Sequence, residues 1–169
     1  MYNINRVIKK LTPHRSAAEL FKYFSDEKDC VFLDSSLVNG LGRYSIIGMR
    51  PYLKLVKDDH GFFINEQKVS ELSFEEYLKK YLSEHKDQNE SGLPILSGAI
   101  GYFSYEYGRK LMEIPSHKEN LVTIPDAVLV FYDMYIIEDC HEKKTFLVAN
   151  GVTEDAEKLI ESVQKRLTE

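Results

Sequence analysis

A short polar segment after an apolar run is the first place in the sequence where residue types point to ligand chemistry. Asp34, Ser35 and Ser36 come directly after Cys30–Leu33, a run with the composition of a strand. A carboxylate flanked by hydroxyls at the end of a strand can hold an ammonium group, because it accepts charge-assisted hydrogen bonds. The residue types favour a structural role instead, in which Asp34 caps a turn and Arg43 pairs with it.

A second stretch, Gly98–Lys110, combines glycines with a cluster of tyrosines. Glycine inside a strand marks a place where another backbone or a bulky ring approaches closely. Tyrosine rings offer stacking area with hydroxyl groups attached, as a ligand site would need. The pattern favours a structural interpretation instead: a core of packed aromatic rings, with Glu106 and Arg109 paired one helical turn apart.

The sequence contains no motif for a self-contained active site. None of the five histidines is followed four residues later by a second histidine or a carboxylate, the spacing that places two metal ligands on one helix face. We therefore interpret them as solvated side chains. They are His14, His60, His85, His117 and His141. The Asn39–Gly42 segment resembles a phosphate loop but lacks the start of a helix, which favours a tight connection between strands. We assign no catalytic and no metal-binding residue to this chain.

The composition limits the class of protein further. The 169 residues carry 22 lysines and arginines against 27 aspartates and glutamates, a formal charge of −5, which argues against a nucleic-acid partner. With 43% hydrophobic residues, the length predicts a single domain over residues 1–169. No apolar run approaches the ~18 residues of a membrane span. Two cysteines without CxxC spacing, Cys30 and Cys140, predict reduced thiols and a cytoplasmic location.

Helix and strand signals alternate along the chain and predict an α+β fold. Capping-box patterns start at Ser16 and Ser73, and Thr153 precedes a third helix whose first turn is acidic. The strand-like runs between them are Cys30–Leu33, Tyr44–Ile47, Tyr52–Lys57, Phe62–Ile64, Ile95–Phe103, Ala127–Ile137 and Thr145–Val148. Short turns between several of these runs favour an antiparallel sheet, here flanked by helices.

Four blocks of the sequence, in this order, resemble the N-terminal domain of the chorismate-utilising component I enzymes. They are FLDS at Phe32–Ser35, GRYSIIG at Gly42–Gly48, GAIGYFSYEYGRKLMEIP at Gly98–Pro115 and IPDAVLVFYDMYIIED at Ile124–Asp139. The family contains anthranilate synthase component I and para-aminobenzoate (aminodeoxychorismate) synthase component I. The GYFSYEYGRKLMEIP block resembles the aminodeoxychorismate branch more than the anthranilate branch. The resemblance implies the N-terminal part of the component I sandwich.

The resemblance also implies a tryptophan pocket at the first block. Family members read Leu-Leu-Glu-Ser at this strand end, and Leu33, Asp34 and Ser35 align with the last three positions. Asp34 in place of glutamate shortens the carboxylate arm by one methylene. The residues that the resemblance places at the pocket are Leu33, Asp34, Ser35, Arg43, Tyr44 and Ser45.

What the chain would do follows from the same resemblance. The parent enzyme, a transferase or lyase, would take ammonia from a glutamine amidotransferase subunit and aminate chorismate. The product would be 4-amino-4-deoxychorismate for folate synthesis or, in the alternative branch, anthranilate for tryptophan synthesis. Chorismate and Mg²⁺ would bind a C-terminal domain that has no counterpart here, so we expect this chain alone to be a scaffold without activity. A different hypothesis is a stand-alone regulatory module that binds an amino acid such as L-tryptophan.

Overall fold

A computed structural model describes residues 5–39, 41–115 and 123–168. These residues form an eight-stranded sheet and four helices. The strands are β1 (Val7–Leu11), β2 (Val31–Leu33), β3 (Tyr44–Asp58), β4 (Gly61–Ile64), β5 (Gln67–Val69), β6 (Ala99–Phe103), β7 (Ala127–Asp139) and β8 (Lys144–Ala149). The helices are α1 (Ala17–Phe21), α2 (Phe74–Glu84), α3 (Tyr105–Leu111) and α4 (Ala156–Arg166). The predicted α+β class is confirmed.

The sheet follows the strand order β1-β8-β7-β3-β4-β5, with β2 paired to β3 and β6 paired to β7. The pairs β1/β8, β2/β3, β3/β4, β4/β5, β6/β7 and β7/β8 are all antiparallel, as the short turns predict. The turn at Asp58–Gly61 is closed by the Asp58 carboxylate, which accepts the amides of His60 and Gly61. The predicted hairpin between β3 and β4 is therefore confirmed.

The chain divides into two compact units. The first comprises the described residues within 1–52, 87–98 and 132–169, and the second those within 53–86 and 99–131. In the first unit, α4 lies against β8 and β1. Its core consists of buried apolar side chains from α1, the turn after it, α4 and the sheet: Ala17, Leu20, Phe24, Ile47, Met49, Met134, Ile136, Leu147, Ala149, Ala156, Leu159, Ile160 and Val163. Whether the chain folds as the single domain we expect stays a prediction.

Aromatic rings build the core of the second unit. The Phe74 ring meets the rings of Phe62, Phe103 and Tyr107 edge to face, with centroid separations between 5.5 and 6.3 Å. Phe74 is the first residue of α2 and is buried. The capping box at Ser73 therefore does two things, because it starts the helix and fixes the residue on which the rings pack.

The starts of α4 and β6 differ from the sequence prediction. The α4 helix is capped by Asp155, which accepts the Lys158 amide, because the hydroxyl and amide of Thr153 bind the buried Asp133 carboxylate instead. The β6 strand begins at Ala99 and not at Ile95, since Gly98 has a φ of 136° that breaks the extended backbone.

The β1 strand was not predicted from the sequence. Its three central residues, Ile8, Lys9 and Lys10, are exposed, and its apolar residues do not alternate with polar ones as on a strand with one buried face. Pairing with β8 forms the strand, from Val7 opposite Ala149 to Leu11 opposite Thr145. The Ser16 capping box is half formed: Ser16 Oγ accepts the Glu19 amide, but the Glu19 carboxylate accepts from Arg15.

Gly101 confirms that a strand glycine marks close backbone approach. It pairs with Leu129 on β7, and a Cβ at Gly101 would lie 1.9 Å from Val128 O. Gly108, inside α3, has no atom within 4 Å of the corresponding position. The two glycines therefore form a matched pair, one enclosed by backbone and one open.

We expect Gly101→Ala to lower the free energy of unfolding by about 3 kcal/mol, because the added methyl forces β6 away from β7. Gly108→Ala should raise it by about 0.5–1 kcal/mol, because alanine restricts the unfolded chain and favours helix. Equilibrium urea unfolding measures both. Equal effects of the two substitutions would contradict the close approach at Gly101.

Candidate functional site

Hydrogen bonds between the segment after β2 and the start of β3 bring four of the predicted pocket residues together. The β2/β3 pairing sets Leu33 opposite Ile46, so the chain leaves β2 beside the start of β3. The Ser45 hydroxyl donates to Asp34 Oδ1 at 3.1 Å and accepts the Ser35 amide at 2.9 Å. The Ser35 hydroxyl donates to Tyr44 O at 2.7 Å. Ser45 is buried, whereas Asp34 is exposed and held on one oxygen by a neutral donor.

This arrangement can present a carboxylate to a cation. A neutral hydroxyl orients the Asp34 carboxylate without neutralising its charge, so the group keeps its negative charge for an incoming ammonium. Leu33 beside it is 47% exposed and offers apolar surface. The site is an open surface in this chain.

Arg43 does not pair with Asp34, so the structural alternative from the sequence is wrong in that respect. Its Nη2 donates to Asp139 Oδ2 at 2.6 Å and its Nε to the same oxygen at 3.0 Å. The other Asp139 oxygen accepts the amides of His141 and Glu142. The guanidinium also lies 4.9 Å from the centroid of the Tyr44 ring. Arg43 hydrogen bonding, which outweighs burial, lowers the pKa of Asp139.

Two residues near the site were missed by sequence reasoning. Asp139 anchors Arg43, and the amide of the next residue, Cys140, donates to Arg43 O at 2.8 Å. The buried Cys140 sulfur lies 3.6 Å from Ser45 Oγ. Arg43 and Asp139 are 96 positions apart. The only sequence signal was a charged pair, Glu138-Asp139, at the end of the strand-like block.

The Asn39–Gly42 segment is a connection between strands, as predicted. The Asn39 side-chain oxygen accepts the amides of Leu41 and Gly42 at 2.8 and 2.9 Å. These amides are bound within the loop, as in an Asx turn, and do not face an anion. Gly40 lies outside the described residues.

The second candidate stretch, Gly98–Lys110, has the structural role that its pattern favours. Arg109 Nε donates to Glu106 at 2.6 Å, the predicted pair. The Tyr107 hydroxyl donates to Glu75 at 2.8 Å, and burial, with Glu75 adding to it, raises the pKa of Tyr107 to about 12. Lys110 binds both oxygens of Asp126 at 2.8 and 2.9 Å.

Two histidines depart from the prediction of solvated side chains. His14 Nε2 lies 3.1 Å from Glu138 Oε1 on β7. His85 stacks on the Tyr81 ring with the centroids 4.0 Å apart. His117 lies outside the described residues. Among residues 5–39, 41–115 and 123–168, no group of three or more histidine, cysteine, aspartate or glutamate side chains could hold a metal ion.

Helices that could cross a membrane are also absent from the part of the chain that the structure describes.

Comparison with known proteins finds relatives in both branches of one enzyme family. The chain is 31% identical over 138 residues to anthranilate synthase component 1 of Acetivibrio thermocellus, covering 78% of this chain and 28% of that protein. It is 35% identical over 52 residues to aminodeoxychorismate synthase component 1 of Klebsiella aerogenes, covering 31% of this chain. No family model matches the chain.

A solved structure confirms the fold. The crystal structure of anthranilate synthase component I from Streptococcus pneumoniae TIGR4 superposes with a TM-score of 0.61 at 24% identity, over 78% of this chain and 30% of that one. The chain thus spans less than a third of the length of these relatives. It is homologous to the N-terminal part of component I of anthranilate synthase and of aminodeoxychorismate synthase.

Proposed function

We propose that this chain is the N-terminal scaffold of a chorismate-utilising component I enzyme and performs no chemistry by itself. The observation that carries the proposal is the match of 138 residues to anthranilate synthase component 1, over 28% of that protein's length. The described residues agree with a scaffold, because their buried carboxylates are bound by partners within the chain. Asp126, for example, is held by Lys110, and Asp139 by Arg43.

In this proposal the reacting groups lie in the rest of the parent enzyme. A glutamine amidotransferase subunit would supply ammonia, and Mg²⁺ would offset the charge of the chorismate carboxylate. The proposal places the magnesium in the C-terminal part of the parent enzyme, as the family resemblance implies, and assigns no step of the reaction to this chain.

The branch of the family decides the product. The GYFSYEYGRKLMEIP block at 101–115 supports amination to 4-amino-4-deoxychorismate. The second candidate is anthranilate formation. It is supported by the match to anthranilate synthase component 1, which covers 78% of the chain, whereas the match to aminodeoxychorismate synthase component 1 covers 31%. The two products differ in the ring carbon that is aminated and in whether pyruvate is eliminated.

We expect the chain alone to produce neither compound from chorismate, ammonia and Mg²⁺. The gene product that contains this chain should aminate chorismate under the same conditions. Anthranilate fluorescence detects one product, and a coupled lyase that releases para-aminobenzoate detects the other, so the assay also identifies the branch. Turnover by residues 1–169 alone would contradict the scaffold role, and no amination by the gene product would contradict membership of this enzyme class.

We further propose that the Asp34 site binds the ammonium group of an amino acid, and that L-tryptophan is the first candidate. The support is the exposed Asp34 carboxylate, oriented by the Ser45 hydroxyl at 3.1 Å, with Leu33 as neighbouring apolar surface. Arg43 and Tyr44 stack against each other, so they would form one edge of the pocket. Ser35 supports the site through its bond to Ser45.

The chain's own composition makes this binding measurable. It has 11 tyrosines and no tryptophan, so red-edge excitation reports added L-tryptophan alone. Titrating the protein into dilute L-tryptophan should give a saturable rise in anisotropy that Asp34→Ala abolishes. Glu90→Ala, which removes an equal charge from an exposed loop, should leave the curve unchanged. A flat trace for the wild type, or equal curves for all three proteins, would contradict an amino-acid site at Asp34.

A further inference from the structure

Two asparagines of this chain, Asn39 and Asn150, are followed by glycine in the sequence. Asparagine before glycine can lose its side-chain amide without an enzyme, because glycine has no side chain to shield the backbone nitrogen that attacks the asparagine Cγ. This nitrogen gives its proton to solvent and forms a bond to Cγ. The Cγ–Nδ2 bond then breaks, ammonia leaves with a proton from solvent, and a succinimide ring remains. Water opens the ring to aspartate or isoaspartate.

Asn39 lies exposed in the loop between β2 and β3, and its side chain is held in a way that favours this reaction. Its Oδ1 accepts the amides of Leu41 and Gly42 at 2.8 and 2.9 Å. Attack at Cγ places negative charge on this oxygen, and donors that already point at it stabilise the charge as an oxyanion hole does. The hydrogen bonds that the described residues make to this side chain all go to Oδ1, so none of them holds the Nδ2 that leaves.

His141 acts on the attacking nitrogen. Its Nε2 lies 3.1 Å from Asn39 O, and a carbonyl oxygen only accepts, so the ring nitrogen is the donor. Asn39 O belongs to the same peptide group as the nitrogen that attacks. When this nitrogen loses its proton, resonance shares the negative charge with the oxygen, where the hydrogen bond from His141 stabilises it. The contact therefore favours the deprotonated form that attacks Cγ.

Asn150 has the opposite surroundings. It is 2% exposed, and its Oδ1 accepts Arg6 Nε at 2.7 Å. Its Nδ2 donates to Leu96 O at 3.0 Å and to Asp133 O at 3.4 Å. Loss of ammonia would break both of these bonds and leave two buried carbonyl oxygens without their donor, which is unfavourable. The same dipeptide is therefore protected at this second position.

We propose that Asn39 is a site of spontaneous deamidation in the folded protein, promoted by the loop amides and by His141, and that the fold protects Asn150. The reaction converts a neutral amide into a carboxylate in the loop that joins Asp34 to β3. The isoaspartate product also lengthens the backbone of this loop by one methylene. This inference does not depend on the proposed chorismate chemistry or on amino-acid binding.

Peptide mapping by mass spectrometry tests the proposal after incubation of the chain at neutral pH in water labelled with heavy oxygen. In the native protein, Asn39 should be converted to the acid and acquire one labelled oxygen, whereas Asn150 should keep its amide. In guanidinium chloride both should react, because the contacts that distinguish them are lost. Asn39 should react faster in the native protein than in the denatured one, since its donors are then in place.

His141→Ala should slow the reaction of native Asn39 about fivefold, because it removes one hydrogen bond from the peptide group that attacks. His60→Ala is the matched control, since His60 is also an exposed histidine in a turn but belongs to the second unit, and it should leave the rate unchanged. Three results would each overturn the proposal: an unmodified or slower-reacting Asn39 in the native protein, equal reaction of Asn39 and Asn150 there, or the wild-type rate in His141→Ala.

Discussion

Buried carboxylates along one strand set the constraint on which much of this fold depends. Asp133, Glu138 and Asp139 lie on β7, and Asp126 directly precedes it, each 5% exposed or less. An ionised carboxylate without partners in such a position costs several kcal/mol. Each one is therefore satisfied by a separate segment of the chain. Asp133 accepts from two amides and a hydroxyl of the segment before α4, and Glu138 accepts the Ala17 amide at the start of α1.

The same constraint reaches the candidate site. Asp139 holds the Arg43 guanidinium, which fixes the beginning of β3, and the adjoining Tyr44 and Ser45 then receive the chain from β2. Asp34 is exposed, and Arg43 does not offset its charge. A carboxylate that binds an ammonium group requires both conditions. Carboxylates that are bound within the chain in this way agree with the scaffold role proposed above.

Features that depend on neighbouring residues can be predicted from the sequence, whereas features that depend on pairing between distant segments cannot. Ser73 and Glu76 form their capping box because both partners lie within one helical turn. The long β7 can be predicted from its own residues, because the apolar run itself is the signal of a strand. Arg43 and Asp139 are 96 positions apart and meet only because the β-sheet brings them together. Residue types alone could not distinguish Asp139 from the nearby Asp34 as the partner of Arg43. The β1 strand is likewise formed by its pairing with β8.

The most direct test of the buried-carboxylate constraint is the urea unfolding free energy of wild type and Arg43→Gln between about pH 7 and pH 3. Hydrogen bonding by Arg43 lowers the pKa of Asp139 from its usual value, so the contribution of this pair is present at neutral pH and is lost as the pH falls through the lowered pKa. The variant should be less stable at pH 7, and the gap should narrow on acidification below about pH 4. Lys144→Gln, which removes an exposed pair with Glu142, should show almost no gap. A gap for Arg43→Gln that is absent, or constant with pH, would contradict the constraint.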